Sequence, residues 1–288
     1  MSKTGMMHKK KKTSLKQKIV RAFIYLILIL ITITTILPLY YVVIAAFNPG
    51  NSLFTTKMFP DRLTTDHFHN LFVKKDYGLW YMNTLKIAFS SMVLTIILVV
   101  ITSYVFSQFR FRGRKGGLMF MLIMTMFPGF MSMIAVYLML LHVGLLDTHL
   151  GLIIVYAGGA IPGLTWLVKG YFDGIPRTIP EAAKIDGAGN GTIFFRIMLP
   201  MSFPIITFVS VSSFIGPWMD YIFARLVLRT PSKKTLAIGL FEMVTGRQNT
   251  EFTMFAAGAV LVALPITILY MSLQKYLIRG IAEGASKT

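Results

Sequence analysis

The sequence predicts an all-α polytopic membrane protein with six transmembrane helices and a short helical elbow between spans four and five. Three observations carry this. The 288 residues are 55% hydrophobic and only 14% charged, with a mean hydropathy of +0.67, whereas soluble domains carry about 25% charged residues. Several windows exceed the roughly 18 apolar residues that a bilayer crossing needs. The cations gather in short segments between those windows, as the positive-inside rule expects. Helices satisfy their own backbone hydrogen bonds in lipid, which favours them here. The same clustering turns the net charge of +18 away from nucleic acid and towards membrane lipid. The absence of cysteine excludes disulfides, thiolate metal sites and cysteine nucleophiles.

Residues 1–18 form a basic N-terminal segment containing Lys9 to Lys12, suited to the inner face of a membrane rich in anionic lipid. Residues 19–288 form a single membrane domain. Span one covers about residues 19–47, with a kink expected near Pro38. A mixed loop from Asn48 to about Tyr81 balances its cations with Asp61, Asp66 and Asp76, which places it outside. Span two, about 84–107, ends in Arg110, Arg112, Arg114 and Lys115 without a carboxylate, marking a return to the cytoplasm. Span three, about 118–141, carries Pro128-Gly129 and many methionines, better suited to adaptable packing than to metal binding. The outer turn holds His142, Asp147 and His149, too few fixed ligands for a metal site. Span four, about 152–171, is interrupted by Gly158-Gly159 and Pro162-Gly163; such small-residue steps allow close helix approach and bending.

Span five, about 203–226, is the most polar of the apolar runs, with Ser210, Ser213, Trp218, Asp220 and Tyr221 as candidates for a path for a hydroxyl-rich solute. Bonding between helices explains the hydroxyls equally well. Asp220 is expected near the outer interface beside Arg225, so it is not read as a proton carrier. An outer loop follows to about Thr253, and span six, about 255–273, contains the small run Ala256 to Ala259 that permits tight packing. Nineteen of the 29 cations lie in the segments assigned to the inner side, so both termini are expected in the cytoplasm.

The elbow begins near Thr178, a plausible helix cap, with Pro180 suited to a first turn and Glu181 placed where the helix dipole favours an anion. Asp186-Gly187 stops that helix, and Ile193, Phe194, Ile197 and Met198 pattern a second one ending at Leu199-Pro200. Glu181-Ala182-Ala183, three residues, Gly187, nine residues, Ile197, one residue and Leu199-Pro200 together match the cytoplasmic loop of ABC-importer permeases at every fixed position. Thr235 to Gly239, Ala256 to Val260, Leu264-Pro265-Ile266 and Gln274-Lys275-Tyr276 extend the resemblance over most of the chain. It is similar to the carbohydrate branch, and within it to the smaller maltose/maltodextrin permease subunit. Trp218-Met219-Asp220 and Ser286-Lys287-Thr288 depart from that branch's usual Trp-Asn-acid and Val-Lys-Gly.

The resemblance implies a bacterial plasma-membrane transport subunit in a heterodimer with a second permease, two ATPase subunits and an extracellular sugar-binding protein. The elbow would be the coupling helix, within a coupling loop of about residues 173–202. Glu181, Ala182, Ala183 and Ile185 would contact the ATPase, Gly187 would act as the pivot, and Asp186, Ile197, Leu199 and Pro200 would complete the coupling set. The loop from about Leu236 to Glu251, with Thr235, Gly239, Gly246, Arg247, Gln248 and Asn249, would face the binding protein. The C-terminal tail, about 275–288, would reach the ATPase. This chain would carry no cofactor: ATP and Mg would bind the partner ATPase, and no Gly-x-x-x-x-Gly-Lys-Ser/Thr occurs in the sequence. The alternatives fit less well. A secondary transporter calls for a titratable group at mid-membrane, which no span offers convincingly, and the motifs of common membrane enzymes are absent. A purely structural subunit leaves the elbow's pattern without a reason. Another oligosaccharide or a polyol remains open as the substrate.

Overall fold

A computed structural model of the chain describes residues 15–51, 62–245 and 251–285, and among these it is helical without a strand. In chain order the helices are α1 (Leu15–Phe47), α2 (Asp66–Val73), α3 (Tyr77–Gln108), α4 (Arg114–Met126), α5 (Gly129–His142), α6 (His149–Asp173) and α7 (Thr178–Ile185). A continuous helical stretch follows, formed by α8 (Asn190–Ile193), a π-helical turn (Phe194–Met198) and α9 (Leu199–Met201). The chain closes with α10 (Phe203–Met219), α11 (Ile222–Val227), α12 (Leu236–Thr245) and α13 (Phe252–Ala285). Four helices, α1, α3, α6 and α13 as far as Lys275, are long and apolar enough to cross a bilayer, and six crossings result if each of two bent pairs is one span.

α3 is the axis. It packs along α6 and α10, while α13 packs on α10 and α1. Its inward stripe, with Tyr77, Thr84, Ile87, Ser91, Thr95, Val99 and Ser103 all buried, recurs at the three- and four-residue steps of one helix face. Small hydroxyl residues alternate there with apolar ones, so α6 can lie close; Ser103 Oγ donates 3.1 Å to Thr165 O across that seam. α1 contributes least to the interior: its apolar window is 0% buried. Only its end, Ala45 and Ala46, enters a core with Leu71, Tyr77, Trp80, Phe214, Trp218, Leu240 and Met254.

Several expectations need correction. α6 runs unbroken through Pro162, and α3 starts seven residues before the predicted edge of span two, at Tyr77. Gly158 and Gly159 meet no neighbouring atoms, and Gly163 only a Thr125 methyl at 3.8 Å, so this step is not a close helix crossing. Span three is not one rod: α4 and α5 meet at 104°. Phe127, forced out of helical geometry by Pro128, is extended at ψ 126°. Pro162 does not break its helix because Ala157 and Thr165, on either side of it, are fully buried in the bundle. Around Pro128 the flanking Met126 and Met131 are 76% and 77% exposed. Span five likewise stops at Met219, with Asp220 extended before the separate α11. Residues 275–285 of the expected C-terminal tail are helical, as the end of α13.

The small run of span six packs as predicted. Ala256 and Ala257 are fully buried, and a Cβ on Gly258 would sit 2.5 Å from Leu240 and 3.1 Å from the Tyr77 ring. The Tyr77 hydroxyl donates to Gly258 O at 2.8 Å.

A candidate coupling elbow at one end of the bundle

The two ends of the bundle differ. One carries α2, α11, α12 and the α5–α6 turn, and the other carries the α3–α4 turn and the elbow formed by α7 to α9. At the elbow end, Ile193, Phe194 and Met198 are buried with Val99, Val100 and Tyr104 of α3, Val168 and Phe172 of α6 and Val209 of α10. Tyr104 is central, its ring 4.7 Å from that of Phe194, 5.8 Å from Phe109 and 5.9 Å from Phe172. The apolar pattern of the second elbow helix therefore serves to clamp it. The π turn at Phe194–Met198 presents Phe194 and Met198 to the core together. Ser202, fully buried, donates to Met198 O at 2.7 Å where this stretch turns 74° into α10.

α7 is held differently. Pro180 is buried and Ile179 and Ala183 are partly buried, but Glu181, Ala182, Lys184, Ile185, Asp186 and Gly187 are exposed. Ile185 is 86% exposed, the highest value among the large apolar side chains described. The predicted Thr178 cap does not form: Thr178 is already the first helical residue, and Arg177 before it makes no side-chain cap. The predicted stop does form. Gly187 has φ +83°, Gly187 N donates to Lys184 O at 3.0 Å, and Ala188 N donates to Ala183 O at 2.9 Å. These bonds make a Schellman motif, which glycine enters without strain. Ile197 and Leu199 are half-buried at the base, and Pro200 is exposed.

Beneath α7 lies a polar cavity of about 250 Å³ lined by Glu181, Lys184, Arg177, Arg110, Arg114 and Ser107, among others. Arg114 is anchored there, Nε donating 2.7 Å to Phe106 O. Ser107 Oγ donates 2.7 Å to Asp173, which also pairs with Lys169, joining the ends of α3 and α6. Two of the four basic residues that mark the end of span two, Arg110 and Arg114, thus line the same cavity as Glu181.

The other candidates scatter. Ser213 lines a recess of about 290 Å³ between α3, α6 and α10. Ser210 donates to Ile206 O, Trp218 is 4% exposed and packs on Tyr81 and Phe214, and Tyr221 stacks on Phe241 at 3.9 Å. Asp220 accepts from the Tyr156 hydroxyl at 2.6 Å and from Phe223 N at 3.0 Å. Arg225 lies 3.7 Å from Glu242. Thr235 is 1% exposed, and a Cβ on Gly239 would fall 2.1 Å from the Trp80 ring, so both face inward. Gly246, Arg247, Gln248 and Asn249 lie outside the described residues.

Sequence reasoning undervalued Asp147. It stands in the left-handed region at φ 55°, which Asp tolerates better than most residues. Its carboxylate accepts from Arg229 N at 2.9 Å, Thr230 N at 3.0 Å, Thr230 Oγ1 at 2.5 Å and Lys233 Nζ at 3.1 Å. Burial alone would raise its pKa, but the bonds from Thr230, Arg229 and Lys233 together hold it well below the usual carboxylate range. His149 donates to Lys233 O at 2.9 Å and His142 to Leu138 O at 3.1 Å. Asp147 and His149 thus staple the α5–α6 turn to the segment after α11, whereas His142 bonds only within α5. The only signal in the sequence was an isolated acid between two histidines.

A helical membrane bundle with a patterned elbow at one end is the architecture of a transport permease, and the chain belongs to the family described as binding-protein-dependent transport system inner membrane component, which matches residues 100–283. Members are permease subunits of ABC transporters rather than enzymes, the ATPase being a separate subunit. The chain is 42% identical over 263 residues to the maltodextrin transport system permease protein MdxG of Bacillus subtilis, covering 91% of this chain and 95% of that protein. It is 40% identical over 268 residues to the galactooligosaccharides transport system permease protein GanQ of the same organism, covering 92% and 95%. Its fold is shared with a bacterial ABC transporter involved in the import of the acidic polysaccharide alginate, at a TM-score of 0.80 and 22% identity over 93% of this chain and 99% of that one. The protein is thus a multi-pass inner-membrane permease.

Proposed function

We propose that this permease imports an oligosaccharide, with maltodextrin the leading candidate, as one half of a permease heterodimer driven by two ATPase subunits. The names of the two relatives, both transporting neutral oligosaccharides, support the substrate class. The bent pairs α4–α5 and α8–α10 each count as one crossing in this reading, which puts residues 1–18, α7 and the end of α13 in the cytoplasm. The family's description as binding-protein-dependent supports a binding-protein partner.

The observation that carries the mechanism is the contrast within the elbow. α8 and α9 are locked to α3, α6 and α10 by Ile193, Phe194 and Met198, while α7 projects with Ile185 bare. An exposed apolar side chain on a rigidly based helix suits a groove in a partner protein. Closure of the ATPase dimer would push α7, and the clamp would pass that displacement to three spans at once, changing which side of the bundle is open. Glu181 also lines the cavity that holds Arg110, Arg114, Arg177 and Lys184 of its own chain.

The test is reconstitution with cognate partners in proteoliposomes. Glu181→Lys and Gly187→Pro are expected to reach the membrane at wild-type level and to lose most ATPase co-purification and sugar-stimulated ATP hydrolysis. Wild-type behaviour of both variants in both assays would reject α7 as the coupling element.

A further inference from the structure

The four cations at the turn from α3 to α4 do not share one role. Arg114 is anchored: its Nε donates 2.7 Å to Phe106 O and its Nη2 3.3 Å to Ser107 O, satisfying two carbonyls of the last turn of α3. Arg110, Arg112 and Lys115 are exposed and make no hydrogen bond or ion pair among the described residues. Lys75, Lys169, Lys233 and Lys234, by contrast, each pair with a carboxylate. Beside the turn lies a hollow of about 630 Å³, lined by Arg110, Arg114 and Lys115 with the apolar Phe111 and Leu118. That volume suits a small-molecule group, and no carboxylate lines it.

Three cations around one hollow without an acid call for an anion, and a guanidinium held in place by backbone carbonyls suits phosphate. Phe111 and Leu118 in the same wall call for an apolar part beside that charge. Beyond Leu118 the exposed face of α4 is apolar, with Met119 57%, Phe120 63% and Ile123 43% exposed. Trp166 of α6, also partly exposed, donates Nε1 to Leu118 O at 3.1 Å. Tryptophan favours the boundary between headgroups and hydrocarbon. Cations at the turn and hydrocarbon along α4 match the two halves of a phospholipid. A free phosphate or a soluble acidic peptide would use only the first.

We propose that the hollow at the α3–α4 turn holds the phosphate of an anionic phospholipid, drawn from the leaflet at the elbow end of the bundle. Arg110, Arg114 and Lys115 surround the headgroup, and the acyl chains run along Met119 and Phe120. The site requires the bundle to lie in a bilayer with Trp166 at its boundary, and it is independent of the sugar carried. Arg110 and Arg114 also line the cavity that holds Glu181, so the lipid adjoins the elbow.

The experiment uses the permease in complex with cysteine-free partner subunits, in phosphatidylcholine nanodiscs. Met119→Cys, at an exposed position one turn beyond Lys115, carries a neutral fluorophore that acyl-brominated lipids quench on contact. Brominated phosphatidylglycerol is expected to half-quench it at about a thirtieth of the mole fraction that brominated phosphatidylcholine needs, about fivefold for each of two unpaired cations. Arg110→Gln with Lys115→Gln is expected to erase that preference. Arg62→Gln with Lys74→Gln, the same loss of charge at exposed positions beside α2, is expected to keep it. Equal quenching by the two lipids with all the native cations in place overturns the site, whatever the variants do. A preference that survives Arg110→Gln with Lys115→Gln, or that falls equally in both double variants, overturns it as well. Loss of the preference in millimolar inorganic phosphate assigns the hollow to free phosphate and overturns the lipid. No sugar enters the assay, so a negative result leaves the import reading standing.

Discussion

At Gly239 the indole of Trp80 occupies the space a side chain would need, and at Gly187 the backbone itself excludes ordinary residues. The two glycines thus act for different reasons, one through packing and one through conformation. Asp147 illustrates a third kind of residue, valued for its charge. Its folded-state pKa is held down, so its contribution to stability is complete at neutral pH. That contribution fades as the pH falls below about 4, where an unfolded carboxylate takes up its proton. Asp147→Asn is therefore expected to lower the melting temperature most at neutral pH, with the gap to wild type closing on acidification. A gap that is constant from pH 7 to pH 3 would place the stabilisation in neutral hydrogen bonds instead. The identity of Asp147 was legible in the sequence, but its partners were not, since Arg229, Thr230 and Lys233 lie some eighty positions away.

The elbow divides into an anchored part and a presented part, and the two should respond differently to truncation. Phe194 is 9% exposed against Tyr104, and Phe194→Ala is expected to cost about 3–5 kcal/mol as a buried aromatic deletion. It should also loosen the clamp, so more ATP is hydrolysed per sugar imported. Ile185→Ala, at an 86% exposed position, should leave thermal stability unchanged and weaken ATPase co-purification. Equal loss of stability in both would show that α7 is packed within the permease rather than offered to a partner. The elbow's turn was legible because a Gly after a short apolar helix has few local solutions. The Thr178 cap failed because the chain leaves α6 through Ile175, buried against the bundle, and arrives at α7 already helical at Arg177. Pro128 and Pro162 make the same point for spans: identical local chemistry broke one helix and not the other, according to what packed beside it.

For the whole molecule, the proposed topology puts the elbow and the Asp147 staple on opposite faces of the membrane, since they occupy opposite ends of α6. The natural absence of cysteine makes this directly measurable. A single Ile185→Cys is expected to react with a membrane-impermeant thiol reagent only in inside-out vesicles, and a single Ser232→Cys only in right-side-out cells. Labelling of both from one side would overturn the six-span arrangement.

Composition, apolar run length and the distribution of cations determined the class of this protein, because a bilayer imposes its demands on a chain one segment at a time. The register of the elbow motif was equally local, every fixed residue lying within twenty positions. The tertiary structure alone decided which prolines break their helices, which hydroxyls find partners and which do not, and where the isolated acid of the α5–α6 turn spends its charge. Those outcomes depend on residues distant in sequence that meet only when α3, α6 and α10 pack, and no pattern read along the chain records that meeting.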